Sequence, residues 1–234
     1  SYINTSFTHQ PPPPHHPSYL TIWPDDVHSP LGPPADRGAA GKRGLYHSVL
    51  QEMDRQLGKL FDRVRNDAEL RDNTLVLVCS DNGPEQGAGS AGPFRGFKTH
   101  LYEGGIRSSL LVWAPSLLEK QNYVDREAVF CSIDLVPTLL DLTGTPRPDG
   151  VKFDGESLVA ALVGKGGSRQ APIFFRRPPD RDQLPALRLL PPACGEDLPP
   201  LAVVHAPVRG EQHADRPVGL VLHGSPHPQL IACP

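Results

Sequence analysis

Two adjacent side chains, Asp81 and Asn82, offer hard oxygen donors where an apolar run, Thr74-Leu-Val-Leu-Val-Cys79, breaks into Ser80-Asp-Asn-Gly-Pro84. Such oxygens suit Ca²⁺ or Mg²⁺, and in open α/β sheets ligands gather where loops leave the carboxyl ends of strands. The same residues also make an ordinary Asx turn, and by themselves they do not separate the two readings. A second candidate is His28, delivered by the short apolar stretch Leu20-Thr-Ile-Trp23 into a loop bounded by Pro24 and Pro30. Imidazole titrates near neutrality and can give or take a proton, although a lone loop histidine is more often plain surface. A third is Lys98, carried with Arg95, His100 and Glu103 in the glycine-rich segment 85–105. Segments of that length inside a domain are usually functional or disordered, and glycines let backbone come close to a ligand.

The elements that must position these residues are legible from periodicity. The run 74–79 reads as a strand buried on both faces. Before it, Leu45, Val49, Met53, Leu57, Leu60 and Val64 recur at three- and four-residue steps, which predicts an amphipathic helix over 44–65. Arg71-Asp72-Asn73 makes the turn between them. Ser109 to Ala114 is a second buried strand, closed by Pro115. Val129 to Leu142 reads as a short strand end followed by a helix with Leu135, Leu139 and Leu142 on one face, Pro137 in its first turn and Gly144 at its end. A further short helix is expected within 153–163. Beyond about residue 176 proline recurs every few residues and no period survives, so an irregular, disordered tail is expected.

Composition narrows the class. The chain has 234 residues, a net charge of -3 and 38% hydrophobic residues, enough for a sizeable core and without the basic balance of a nucleic-acid binder. No run of about 18 apolar residues is present, so no membrane span is expected. Prolines cluster toward both ends, including the extended tract Pro11-Pro-Pro-Pro-His-His-Pro17, which reads as a solvated loop more readily than as a metal site. Cys79, Cys131, Cys194 and Cys233 are far apart, with no metal-type spacing, and the first two read as buried thiols.

Taken in order, five stretches resemble the type I sulfatase family of the alkaline phosphatase superfamily. They are Trp23-Pro-Asp-Asp-Val-His28-Ser-Pro, Tyr46-His-Ser-Val-Leu-Gln-Glu-Met-Asp54-Arg-Gln-Leu-Gly58, Leu77-Val-Cys-Ser-Asp81-Asn82-Gly83, Gly96-Phe-Lys98-Thr-His-Leu-Tyr-Glu103-Gly-Gly-Ile-Arg107 and Ile133-Asp-Leu-Val-Pro-Thr-Leu-Leu-Asp-Leu-Thr-Gly144. The resemblance implies an α/β fold with a sheet sandwiched between helices, here incomplete and followed by an irregular C-terminal tail. It implies a divalent metal, usually Ca²⁺, at the sheet's carboxyl edge, with Asp81 and Asn82 as two of its ligands. Lys98 resembles the lysine that holds a sulfate oxygen and the leaving group's charge. His28 resembles the histidine at the scissile ester oxygen, a possible general acid. The implied substrate is a sulfated small molecule or sulfated glycan. These roles answer the chemistry, because a sulfate ester's transition state places negative charge on non-bridging and leaving oxygens.

The departures shape the expectation equally. The family's nucleophile is a formylglycine made from a Cys or Ser in a Cys-x-Pro/Ala-x-Arg context, and none of the four cysteines has those neighbours. The resemblance therefore implies the C-terminal portion of a catalytic domain over 20–165. A Pro/His-rich extended segment occupies 1–19, and a degenerate remnant of the family's small C-terminal subdomain is expected over 166–234. A shifted reading frame after about residue 182 would account for the period-free tail. Two alternatives accompany this reading: a phosphonate or phosphodiester hydrolase of the same superfamily, and a catalytically inert truncated module. The family's extracellular, periplasmic or lysosomal destinations are not distinguished by this sequence, nor is oligomeric state.

Overall fold

A computed structural model of the protein describes residues 17–24, 27–36 and 40–175, together with the backbone of 37, 176–177 and the strand segments 186–190, 203–205, 221–223 and 229–230. Most of the Pro/His-rich N-terminal segment, and most of the expected irregular tail, lie outside the described residues. The chain divides into two compact units. The first holds 1–79, 112–117 and 207–234, and the second holds 80–111 and 118–206.

In the first unit, β1 spans Ser18–Leu20 and pairs antiparallel with a later strand at Val221–His223. The strand expected over 20–23 thus ends at its first residue, and Trp23 is largely exposed. A single 3-10 turn, Ala35–Arg37, precedes α1, Gly41–Asn66. This helix opens three residues before the predicted start, and it buries Val49, Met53, Leu57 and Val64 as the periodicity requires. Its outer face carries ordinary helix-spaced pairs, such as Arg55 donating to Glu52 at 2.8 Å. The predicted turn at 71–73 proves to be the end of a short helix, α2, Ala68–Asp72. Asp67 caps it, its Oδ1 accepting from Glu69 and Leu70 N–H at 3.1 and 3.2 Å. Next comes β2, Thr74–Val78, with every residue buried, as a strand covered on both faces must be. A short strand at Gln229–Leu230 runs parallel beside it.

In the second unit, the glycine-rich segment closes with one helical turn, α3, Glu103–Ile106. β3 follows at Leu110–Trp113, its last residues belonging to the first unit as a neighbour of β2. β4, Val124–Asp125, pairs antiparallel with a strand at Val203–His205. α4, Ser132–Thr143, ends at Gly144 in the left-handed region (φ 64°), as read from the sequence. Its buried face differs from the predicted leucine stripe. Asp134, Pro137, Thr138 and Leu139 are enclosed, while Leu135 and Leu142 are only half-buried and Ile133 and Val136 are exposed. Pro137 also lies in the second turn rather than the first. It cannot donate to the Ile133 carbonyl, and Gly155 lies against that carbonyl so closely that an added Cβ would come within 1.9 Å of its oxygen. Of the helix expected within 153–163 only α5, Val159–Leu162, forms, beside a small core of Ala128, Leu158 and Ala161. β5, Ile173–Arg177, and β6, Ala186–Leu190, pair as an antiparallel hairpin.

Candidate functional site

Asp81 and Asn82 sit where the chain leaves β2. The Asp81 side chain is exposed and Asn82 half-buried. Neither makes a hydrogen bond or ion pair with another described residue. Their turn is instead held through backbone. The Ser80 N–H donates to Ser108 Oγ at 2.9 Å, and that hydroxyl lies 3.2 Å from the Ser109 carbonyl. The Gly83 N–H donates to the Gly105 carbonyl at 2.9 Å. The Lys98 N–H donates to the Pro84 carbonyl at 2.8 Å. Gly83 approaches α3 so tightly that a Cβ there would fall 1.8 Å from the Gly104 carbonyl oxygen, a distance only glycine permits. Thus the turn bearing the two oxygen donors and the loop bearing Lys98 are one backbone construction.

That loop is compact. Gly104 N–H donates to Arg95 O at 2.8 Å, and His100 N–H to Phe97 O at 3.0 Å. Glu103 and Arg107, one helical turn apart and almost fully buried, form an ion pair through Oε2 and Nε. The Arg107 guanidinium also stands 5.3 Å from the centre of the Phe94 ring, and Arg95 lies 4.0 Å over Tyr102. The His100 ring packs 4.1 Å from Phe97, and its Nδ1 is buried without a hydrogen-bond partner. Thr99, directly after Lys98, has a φ of 78°, a strained conformation for a β-branched residue. Strain of this kind collects at functional sites.

His28 lies in the first unit, exposed, its Nδ1 2.8 Å from the Ser29 carbonyl oxygen. Asp81, Asn82 and Lys98 all lie in the second unit, their segments joined by the Lys98–Pro84 backbone bond, and His28 is described separately. Cys79 and Cys131 are half-buried rather than enclosed.

The second unit contains another acid site that the sequence reading passed over. Asp134 is completely buried. Its Oδ2 accepts from Cys131 N–H at 2.8 Å and its Oδ1 from Glu156 N–H at 2.9 Å, while Arg169, itself buried, stands 3.5 Å away. Burial pushes the Asp134 carboxyl above the ordinary aspartate value, against the two N–H donors and the guanidinium. Glu156 is shifted downward, chiefly by accepting the Gln170 N–H. A capping position three residues after Cys131 was readable as such, whereas Arg169 gave no signal. Similarly, Glu103 and Arg107 stood at ion-pair spacing within the quoted motif, while Thr99 and Ser108 carried no sign of their backbone roles.

Comparison with known proteins now places the chain. The Sulfatase family model matches residues 2–145, and the chain belongs to the sulfatase family. It is 33% identical over 169 residues to the N-acetylgalactosamine-6-sulfatase of Homo sapiens, covering 70% of this chain and 31% of the relative. It is 30% identical over 178 residues to an arylsulfatase of Hemicentrotus pulcherrimus, covering 74% of this chain and 31% of that protein. Against arylsulfatase A of Homo sapiens the identity is 37% over 137 residues, 57% of this chain and 26% of the relative. The chain spans less than a third of the length of these curated relatives. No helix among the described residues is long and apolar enough to cross a membrane.

Proposed function

We propose that the chain carries the Asp81–Asn82 edge, Lys98 and His28 of a sulfuric ester hydrolase acting on sulfate monoesters, within an α/β fold whose sheet lies between helices. The observation that supports this best is the hydrogen bond from Lys98 N–H to the Pro84 carbonyl. It keeps a cationic side chain and two hard oxygen donors on one framework, in a chain of the sulfatase family. In this reading Lys98 neutralises charge on a sulfate oxygen and on the departing oxygen, and His28 protonates the leaving alkoxide or phenoxide. Asp81 and Asn82 would hold Ca²⁺ or another divalent cation. Their oxygens fit such an ion in kind, but they fill only two of the six to eight positions typical of Ca²⁺. Among the described residues no group of three His, Cys, Asp or Glu side chains could complete the set. When bound, the cation supplies positive charge at the sulfate oxygens.

The nucleophile of this reading is a formylglycine, and its Cys-x-Pro/Ala-x-Arg context does not occur within these 234 residues. The covalent step is therefore absent from the chain taken alone. The substrate is a sulfated small molecule or sulfated glycan, in keeping with relatives named for N-acetylgalactosamine-6-sulfate and aryl sulfates. The test uses two polypeptides. The full product of the gene, given an aryl sulfate and an aryl phosphodiester side by side, is expected to cleave the sulfate preferentially and to lose that activity on Asp81→Ala. The 234 residues alone are expected to turn over neither. Preferential cleavage of the diester would replace this reading with a phosphodiesterase, and Asp81-dependent turnover by the 234 residues would refute the assigned nucleophile.

A further inference from the structure

We propose that the buried Glu103–Arg107 ion pair is a positioning element for the Asp81–Asn82 edge, fixing the two oxygen donors and Lys98 relative to one another. The proposal rests on the reading of that edge as a metal site. A buried ion pair is seldom the most stable way to fill its space, because desolvating two charges offsets much of their attraction. Here both side chains are almost fully enclosed, Glu103 opening a turn of only four residues and Arg107 directly following it. α3 is too short to be held by its own ladder of hydrogen bonds, and a helix of this length is unstable in isolation. Its geometry depends on what packs against it, the backbone bonds from Gly83 and to Arg95 and the Glu103–Arg107 pair.

Of the three bonds that fix the candidate edge, two end in this turn or just after it. Gly105 O receives the Gly83 N–H, Gly104 N–H reaches Arg95 O, and Arg107 N–H closes on Glu103 O at 3.0 Å. Ser108, the next residue, receives the Ser80 N–H immediately before Asp81. On the opposite side the Arg107 guanidinium faces Phe94, at the start of the loop that carries Lys98. One ion pair thus ties the turn that meets Gly83 to the loop that presents the ammonium. Side chains that orient ligands in this way tune metal affinity without touching the ion.

Terbium(III), an oxygen-seeking luminescent ion, serves as the probe, with thermal unfolding followed in parallel. In the full product of the gene, Asp81→Ala is expected to remove the saturable terbium signal. Glu103→Gln, which takes the Glu103 charge away from the buried Arg107, is expected to lower both melting temperature and affinity. The double variant Glu103→Gln/Arg107→Met removes both charges. It is expected to recover most of the melting temperature while terbium affinity stays about tenfold below the parent. Arg107→Lys keeps both charges but loses the planar group over Phe94, and an affinity loss at near-parental stability is expected. Parental affinity in a folded double variant, or in Arg107→Lys, would overturn the positioning role alone. A terbium signal unchanged by Asp81→Ala would overturn the metal-edge reading and this proposal with it.

Discussion

Two aspartates of the second unit, Asp81 and Asp134, are held in opposite ways. Asp134 is at 0% exposure, its carboxylate given two backbone N–H bonds and a guanidinium 3.5 Å distant. Asp81 is exposed and takes no bond from any described residue, yet the backbone beneath it is fastened at Ser80, Gly83 and Pro84. Around Asp134 the structure satisfies the side chain; around Asp81 it satisfies the chain and leaves the carboxylate open. A buried, saturated acid organises a helix start. An open acid on a turn fastened through its backbone is what the proposed metal edge requires. The contrast between the two acids lies in where their hydrogen bonds go, a more informative property than burial alone.

The largest effects should fall on the Asp134 side. Asp134→Ala removes the acceptor of two N–H groups and leaves the buried Arg169, among the described residues, with Glu156 at 3.7 Å as its counter-charge. A guanidinium cannot shed its proton to escape. The expected loss is about 3–5 kcal/mol, a large share of a domain's stability. Arg169→Met should lose less, because the Asp134 carboxyl, already raised by burial, can take up a proton and become neutral. Chemical denaturation of the two variants measures the difference. Equal losses would mean that the guanidinium rather than the carboxylate is the centre of the clamp.

A middle-sized effect is expected at the backbone beneath the open acid. In Gly83→Ala the new Cβ would stand 1.8 Å from the Gly104 carbonyl oxygen and 2.7 Å from its carbon, both backbone atoms that cannot rotate away. The turn must move off α3, at about 1–3 kcal/mol for overpacking of this kind. Amide hydrogen exchange at Gly83 gives the sharper reading, because loss of its bond to Gly105 should deprotect that amide first. A fully protected amide in Gly83→Ala would show that α3 yields instead of the turn, and that the edge is softer than its bonds suggest.

How much of this was readable beforehand follows from which forces act. α1, β2 and β3 were legible because burial imposes a period on sequence, and the Gly144 stop because a left-handed residue favours glycine. Membership of the sulfatase family was legible from the order of five motifs, none decisive alone. The inner face of α4 was misread because apolarity was taken as the guide. Asp134 and Thr138 are buried there for their hydrogen bonds, the Thr138 hydroxyl donating to Asp134 O at 2.6 Å and accepting from Leu158 N–H at 2.9 Å. Asp81, Asn82 and Lys98 were singled out as candidates from residue type and family order. What joins them, three hydrogen bonds spanning from 14 residues between Pro84 and Lys98 to 28 between Ser80 N–H and the Ser108 hydroxyl, is long-range geometry and has no local signature. The strain at Thr99 is likewise invisible, since threonine is not a residue from which a positive φ would be inferred.

The smallest expected effect is the most discriminating one. Asp81→Ala deletes an exposed carboxylate that bonds to no described residue, so stability should change by no more than about 0.5 kcal/mol. On the Asp134 side the same chemical change is expected to be severe. If denaturant midpoints of Asp81→Ala and the parent coincide while that variant loses its terbium signal, the carboxylate is dispensable for folding and required for binding. If instead Asp81→Ala is destabilised by several kcal/mol, the open acid is a structural one whose partners lie outside the described residues. The division between the two aspartates would then disappear. Backbone fastening without side-chain satisfaction is the observation that separates them, and this variant tests it directly.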